Sequence, residues 1–239
     1  MPVDIRFRAL VPAAGSGARF GHATPKQYLP LAGRPLIAHT LAALCAHPRI
    51  EGVAIVLSPD DERFDRIDPG PWRGRHETLR CGGRTRAETV LNGLLAMRGR
   101  WSEDDWVLVH DAARPCLSRA LLDRLLDTLA GDPVGGIAAL PVADTVKRAD
   151  REGRIAETVP RDGLWAAQTP QMFRLGLLVR ALSSGTTAEI TDEASAVERL
   201  GLRPRLVPGD PANLKVTYPD DLRTAERHLL DRGPEDTTS

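Results

Sequence analysis

At 239 residues and 26.0 kDa the chain is long enough for one α/β domain with a well-buried sheet, and the length favours one domain over two. Its 32 basic and 32 acidic residues cancel and are mixed along the sequence, so no global field draws it to nucleic acid or to an anionic membrane, and any polyanion must meet a local basic site. Apolar residues at 42% and charged residues at 27% exclude a disordered chain, no stretch has the length of a secretory or membrane-spanning segment, and three widely spaced cysteines (Cys45, Cys81, Cys116) fit reduced thiols in a soluble, cytoplasmic protein.

In chain order, residues 7–12 read as a short buried strand, followed by a long loop and a helix over 35–47 with proline in its first turn. A β-rich run covers 52–57 and another 76–81. Thr85 to Glu88 has the spacing of a capping box and opens a helix that runs to about Met97. The apolar run 106–110 ends at Asp111, Ser118 caps a helix to Leu129, and 135–142 is another buried strand. This alternation predicts a doubly wound, mostly parallel α/β sheet with helices on both faces, a Rossmann-like architecture. The polar runs around Asp150-Arg151-Glu152-Gly153 then predict a β-hairpin arm over about 143–160 that projects from the body and needs a partner surface. Helices follow at 175–182 and 191–200, strands at 203–207 and 214–217, a last helix after Pro219, and a frayed tail over 233–239. The expectation is one domain over 1–239 with an arm.

The loop after the first strand carries most of the chemistry. Ala13, Ala14, Gly15, Ser16 and Gly17 lie where a parallel sheet places phosphate, and small residues let backbone N–H groups approach phosphate oxygens. Glycine also permits the positive φ of an amide nest. A dinucleotide fingerprint fails because Phe20 stands where a third glycine belongs, and a Walker loop fails because no Gly-Lys-Ser/Thr is present. Instead Arg19 and Lys26 follow, with prolines at 12, 25 and 30, which suits a loop that wraps a polyphosphate. Asp111, at a strand end facing the same crevice, has the position to hold Mg²⁺ together with substrate phosphates, with Arg114 just beyond. The only lysines are Lys26, Lys147 and Lys215, leaving 29 arginines among the 32 basic residues, so each lysine marks a place where a compact ammonium is needed. His110 reads as packed under the strand end, and no nucleophile elbow or triad is evident.

Five segments, "VPAAGSGARF…PKQYLPLAGRPLIAHTL", "VLVHDAARPC", "TVPRDGLWAAQTPQMF", "ITDEASAVE" and "NLKVTYPDDL", run in one order from about residue 10 to about 226. Together they resemble the 2-C-methyl-D-erythritol 4-phosphate cytidylyltransferases of the non-mevalonate isoprenoid pathway. The resemblance implies that Ala13, Ala14, Gly15 and Gly17 bind CTP phosphates and that Arg19, Lys26 and Lys215 neutralise charge in catalysis. It implies that Gly82, Gly83 and Thr89 read cytosine, that Ala112 lies near the ribose and that Asp111 carries the metal. Arg114, Thr145, Arg161 and Thr169 would contact methylerythritol phosphate, several from a neighbouring subunit's arm in a homodimer, with Arg161 catalytic. Lys147 is a solvated arm residue. Arg84 stands where some members are acidic. The length leaves no room for the fused synthase domain of some members.

In that reading the acceptor's phosphate oxygen attacks the α-phosphorus of CTP in line and pyrophosphate leaves. The nucleophile is already anionic, so catalysis is positioning and electrostatics without a general base. The alternatives are a ribitol 5-phosphate cytidylyltransferase and a non-catalytic nucleotide-binding module.

Overall fold

The structure, a computed structural model, describes residues 5–15, 24–185 and 190–231. The first strand, β1 (Phe7–Pro12), buries Ala9, Leu10 and Val11 completely. After a 3₁₀ turn at Lys26–Tyr28, a small ribbon of β2 (Pro30–Leu31) and β3 (Arg34–Pro35) leads into α1 (Leu36–Ala46). Then come β4 (Ile50–Val56), β5 (His76–Leu79), α2 (Arg86–Met97), β6 (Trp106–Val109), α3 (Arg119–Leu129) and β7 (Gly135–Pro141). The hairpin of β8 (Val146–Ala149) and β9 (Ile155–Val159) follows, then β10 (Trp165–Arg174), α4 (Leu175–Ser183), α5 (Glu193–Glu198), β11 (Arg205–Pro208) and α6 (Pro219–Leu230).

The central sheet has seven strands in the order β11-β7-β10-β6-β1-β4-β5. All neighbours pair in parallel except β10, which is antiparallel to both β6 and β7. On one face α1 and α3 close a core around Ile37, Leu41, Leu108 and Leu125; on the other α2, α4 and α5 close one around Leu10, Val90, Leu94, Phe173 and Leu178. A smaller cluster of Leu31, Leu36, Cys116, Val216 and Ala225 fastens α6 to the carboxyl-end side. Two of the expected caps are present: Thr85 Oγ accepts from the Glu88 N–H at 3.0 Å and Ser118 Oγ from the Leu121 N–H at 3.3 Å. The reciprocal half of the first capping box is redirected, because the Glu88 carboxylate accepts from the Arg84 N–H at 2.9 Å instead.

The structure departs from the sequence-based expectations in two places. β10 is a ten-residue strand of the central sheet in a segment to which the sequence reading assigned no element, inside "TVPRDGLWAAQTPQMF". Gln168, Thr169 and Gln171 disguised it, yet all three are buried and satisfied by side-chain hydrogen bonds, and the register shift between Ala167 and Gln171 accommodates Pro170. Residues 214–217, expected as a strand, form none. Val216 turns into the small cluster while Lys215 and Thr217 face the crevice, which gives a period of two, but the segment is tied alongside 111–114 by a backbone bond from Val216 N–H to Ala113 O at 2.8 Å rather than by a ladder. The strand expected at 203–207 is β11, and the helix expected at 191–200 is the shorter α5, capped by Asp192.

Candidate active site

Because β1, β4, β5 and β6 run in parallel, their carboxyl ends open on one crevice, a cavity of about 500 Å³ within the range of small-molecule sites. Ala13, Ala14 and Gly15 form one wall and Gly83, Arg84, Thr85 and Thr89 another. The walls approach closely because of glycine. A Cβ on Gly82 would lie 2.3 Å from Ala14 Cβ and 2.7 Å from Leu57 O, and one on Gly83 would lie 2.3 Å from Glu88 Cγ. Gly15 is different: its φ lies outside the left-handed region and, among the described residues, nothing stands within 4 Å of a Cβ built there, so no strained turn calls for glycine at this position. Gln27, buried after the loop, donates from Nε2 to Ala13 O (3.0 Å) and Gly15 O (3.1 Å) and so holds the wall in place. Gly17 and Arg19 lie outside the described residues.

The charged floor is a relay of four side chains. Lys215 Nζ donates to Asp111 Oδ2 at 2.7 Å, and Arg86 Nε donates to Asp111 Oδ1 at 2.8 Å. The Arg86 fork then donates from Nη1 and Nη2 to both oxygens of Glu193, at 2.7 and 3.1 Å. Burial raises the Asp111 carboxyl, but the Arg86 and Lys215 cations outweigh it and hold the group well below the usual carboxylate range. Burial pushes the Glu193 carboxyl up while Arg86 pulls against it. Lys26 Nζ donates to Val216 O at 2.9 Å, which places both crevice lysines beside the 214–217 segment.

Beneath Asp111 a hydrogen-bond chain fixes its backbone. The Asp111 N–H donates to Thr169 Oγ at 3.0 Å, and Thr169 Oγ lies 3.0 Å from His110 Nδ1. His110 Nε2 lies 3.1 Å from the Arg114 carbonyl, which only accepts, so Nε2 carries the proton and Nδ1 accepts from the threonine hydroxyl. Burial lowers the fully enclosed His110 to about 4, so this imidazole is neutral and both its nitrogens are occupied.

Of the residues expected to act, the structure brings Ala13, Ala14, Gly15, Lys26, Gly83, Thr89, Asp111, Ala112 and Lys215 to the crevice. Gly82 lies just behind the wall. The Thr89 hydroxyl is engaged in the fold, donating to Thr85 O at 2.9 Å and accepting from the Gly83 N–H at 3.1 Å. Arg114 and Thr169 are buried below the floor, Arg114 donating from Nη1 to Asn213 O at 2.7 Å. Thr145 and Arg161 are exposed at the base of the arm, away from the crevice of their own chain, and Arg161 Nη1 donates to Ala143 O. Lys147 is exposed and donates to Thr158 Oγ at 2.7 Å. Sequence reasoning missed Arg86, Glu193 and Gln27. Glu193 lies inside "ITDEASAVE", and Arg86 begins the helix between Gly83 and Thr89; their partnership joins positions 107 apart and leaves no local trace.

A family model for 2-C-methyl-D-erythritol 4-phosphate cytidylyltransferase (IspD) matches residues 7–231. The chain belongs to this family. The protein of that name from Dechloromonas aromatica is 63% identical over 227 residues, covering 95% of this chain and 99% of the relative. The one from Azoarcus sp. is 59% identical over 230 residues, covering 95% of each. Among solved structures, a 4-diphosphocytidyl-2C-methyl-D-erythritol synthase superposes with a TM-score of 0.84 at 42% identity, covering 95% of this chain and all of that one. The Francisella tularensis cytidylyltransferase superposes with a TM-score of 0.79 at 32% identity, covering 94% and 100%.

Proposed function

We propose that this chain transfers CMP from CTP to 2-C-methyl-D-erythritol 4-phosphate, releasing pyrophosphate. The observation that carries the reading is the crevice in which Lys26 and Lys215, from opposite ends of the sequence, flank the buried Asp111 beside a wall of small residues. A substrate phosphate oxygen attacks the α-phosphorus, the bond to the β-phosphate oxygen breaks, and the electron pair leaves with pyrophosphate. The chain needs no general base, consistent with a neutral His110 whose nitrogens are both engaged and with an Asp111 held ionised. Ala13, Ala14 and Gly15 offer room for the triphosphate, while Lys26 and Lys215 neutralise charge on the five-coordinate phosphorus; the roles of Gly17 and Arg19 in phosphate binding rest on the family resemblance.

Among the described residues no group of three or more histidine, cysteine or acidic side chains could hold a metal ion by itself. Asp111, the one carboxylate among the described residues that line the crevice, suits Mg²⁺, which takes one or two carboxylates and completes its shell with substrate phosphates and water. Asp111 would hold it, and the ion would supply charge neutralisation at the phosphates.

Acceptor recognition goes to the arm. Thr145 and Arg161 are exposed, and the hairpin carries Ile155 at 68% exposure with Leu164 and Trp165 exposed at its base. A two-stranded sheet with so little apolar cover is marginal alone, which supports a homodimer in which each arm reaches the partner's crevice, with Arg114 and Thr169 shaping the same end. No helix among the described residues is long and apolar enough to cross a membrane, and we assign the chain to the cytoplasm as one catalytic domain with its arm. The test is pyrophosphate release from CTP and Mg²⁺ with methylerythritol 4-phosphate and ribitol 5-phosphate side by side. A clear preference for the first is expected; preference for ribitol phosphate would replace the acceptor, and no release with either would leave only nucleotide binding.

A further inference from the structure

Glu193, one of three acidic residues in "ITDEASAVE", finds its purpose just behind the crevice floor. Glu193 is 1% exposed, but through Arg86 its carboxylate is connected to the crevice: it takes both ends of the Arg86 fork, and the third donor of that fork reaches Asp111. We propose that Glu193 and Arg86 are a positioning pair for Asp111, fixing which carboxylate oxygen the reacting phosphates and their cation meet.

The two cations on Asp111 are unequal. Arg86 is held by three hydrogen bonds to two carboxylates, whereas Lys215 holds Oδ2 by one and is 38% exposed. The terminal torsion of an aspartate is soft, so an unsupported carboxylate would rotate with whichever cation is nearest. With Oδ1 pinned by Arg86, Oδ2 is the oxygen that can exchange Lys215 for an incoming cation, and the released ammonium is then beside the phosphates. Glu193 has the complementary task. A guanidinium facing a triphosphate crevice would otherwise turn in and bind phosphate bidentately, and engagement of Nη1 and Nη2 by a buried carboxylate prevents that.

The pair is referenced to the same strand as Asp111 itself. Gln171 on β10 donates from Nε2 to Asp192 Oδ2 at 2.8 Å and accepts the Ala194 N–H at 2.9 Å, so its amide clamps the start of α5 on both sides of Glu193. Two residues earlier Thr169 accepts the Asp111 N–H. β10 therefore positions both carboxylates that hold Arg86, which gives its buried polar side chains their partners.

This inference rests on the cytidylyltransferase reading, and the wild-type chain tests that reading in the same experiment. Arg86→Gln, Asp111→Asn and their combination are compared for turnover, for the Mg²⁺ concentration giving half-maximal pyrophosphate release, and for Mn²⁺ binding with CTP present, followed by electron paramagnetic resonance. Arg86→Gln should raise the Mg²⁺ requirement and weaken Mn²⁺ binding by about 10-fold or more, the usual cost of losing a partner of a metal ligand. In the Asp111→Asn background the same change should add less than about 2-fold, since residues acting through one group are non-additive. Equal effects in both backgrounds, or a metal curve that superimposes on wild type, would overturn the proposal. Because Arg86→Gln alone leaves Glu193 buried and unpaired, Arg86→Gln with Glu193→Gln serves as the neutral control. A stable neutral pair with a still-raised metal requirement supports positioning; recovery of the metal curve along with stability would make the pair purely structural. Failure of the wild type to release pyrophosphate would remove the reaction, while Mn²⁺ binding would still report on the relay.

Discussion

Lys26 and Lys215 differ from the arginines that supply nearly every other positive charge in the chain: each is a point charge at the crevice. Lys26 sits in a one-turn 3₁₀ segment whose fold is held by Gln27, so truncating it should leave the scaffold intact. Lys26→Ala is expected to lower kcat by about 10²–10³, the range for losing one preorganised charge-stabilising donor, with a thermal unfolding midpoint within a few degrees of wild type. Steady-state kinetics together with a melting curve check it, and near-normal kcat would take Lys26 out of catalysis. His110 illustrates the opposite case, a histidine beside Asp111, the proposed metal ligand, whose two nitrogens are engaged in fixing backbone geometry through Thr169 and Arg114.

At the level of elements, the crevice depends on two walls meeting where side chains are absent. A Cβ at position 82 would fall inside the contact distance of Ala14 Cβ and of Leu57 O, the latter being the carbonyl that accepts the Gly82 N–H at 2.8 Å. Gly82→Ala should therefore destabilise the chain by about 1–3 kcal/mol, as overpacking does, and weaken CTP binding by parting the walls. Chemical denaturation and calorimetric CTP titration measure the two effects, and a variant indistinguishable from wild type in both would contradict the close approach. The arm makes a separate prediction. Arg161 is exposed and outside its own crevice, so Arg161→Ala should raise KM for methylerythritol phosphate at least several-fold and leave KM for CTP unchanged. Equal changes in both constants would place Arg161 on the nucleotide instead.

At the scale of the whole molecule, three histidines among the described residues are packed in their neutral forms. Burial lowers His39 and His47 below their ordinary value and lowers His110 to about 4. As pH falls below about 6.5, the usual value for an exposed imidazole, the unfolded chain takes up protons that the folded chain refuses, so stability is lost with falling pH. For His110 alone the window from 6.5 to about 4 corresponds to a loss on the order of 3 kcal/mol. Urea midpoints should fall steadily between pH 7 and pH 5, and a flat profile would show that these imidazoles titrate normally. The Asp111 carboxyl contributes with the opposite reference: its stabilisation is present above the ordinary carboxylate range and is lost only in strong acid. At the same scale, sedimentation at working concentrations should find a dimer built on the arms.

Period and punctuation in the sequence determined the parallel strands, their helices, the caps at Thr85 and Ser118, and the arm, because each of these is a contest between neighbours in the chain. Residue type and spacing likewise singled out the glycine loop, Asp111 and all three lysines, of which Lys26 and Lys215 lie at the crevice and Lys147 is exposed on the arm. Only the tertiary structure decided that Gln168, Thr169 and Gln171 belong to a central strand, because burial of polar side chains becomes acceptable only when distant partners satisfy them. It alone joined Arg86 to both Asp111 and Glu193. Hydrogen bonds between residues 25 and 107 positions apart obey no local period, and they exist only once the sheet has brought their elements together.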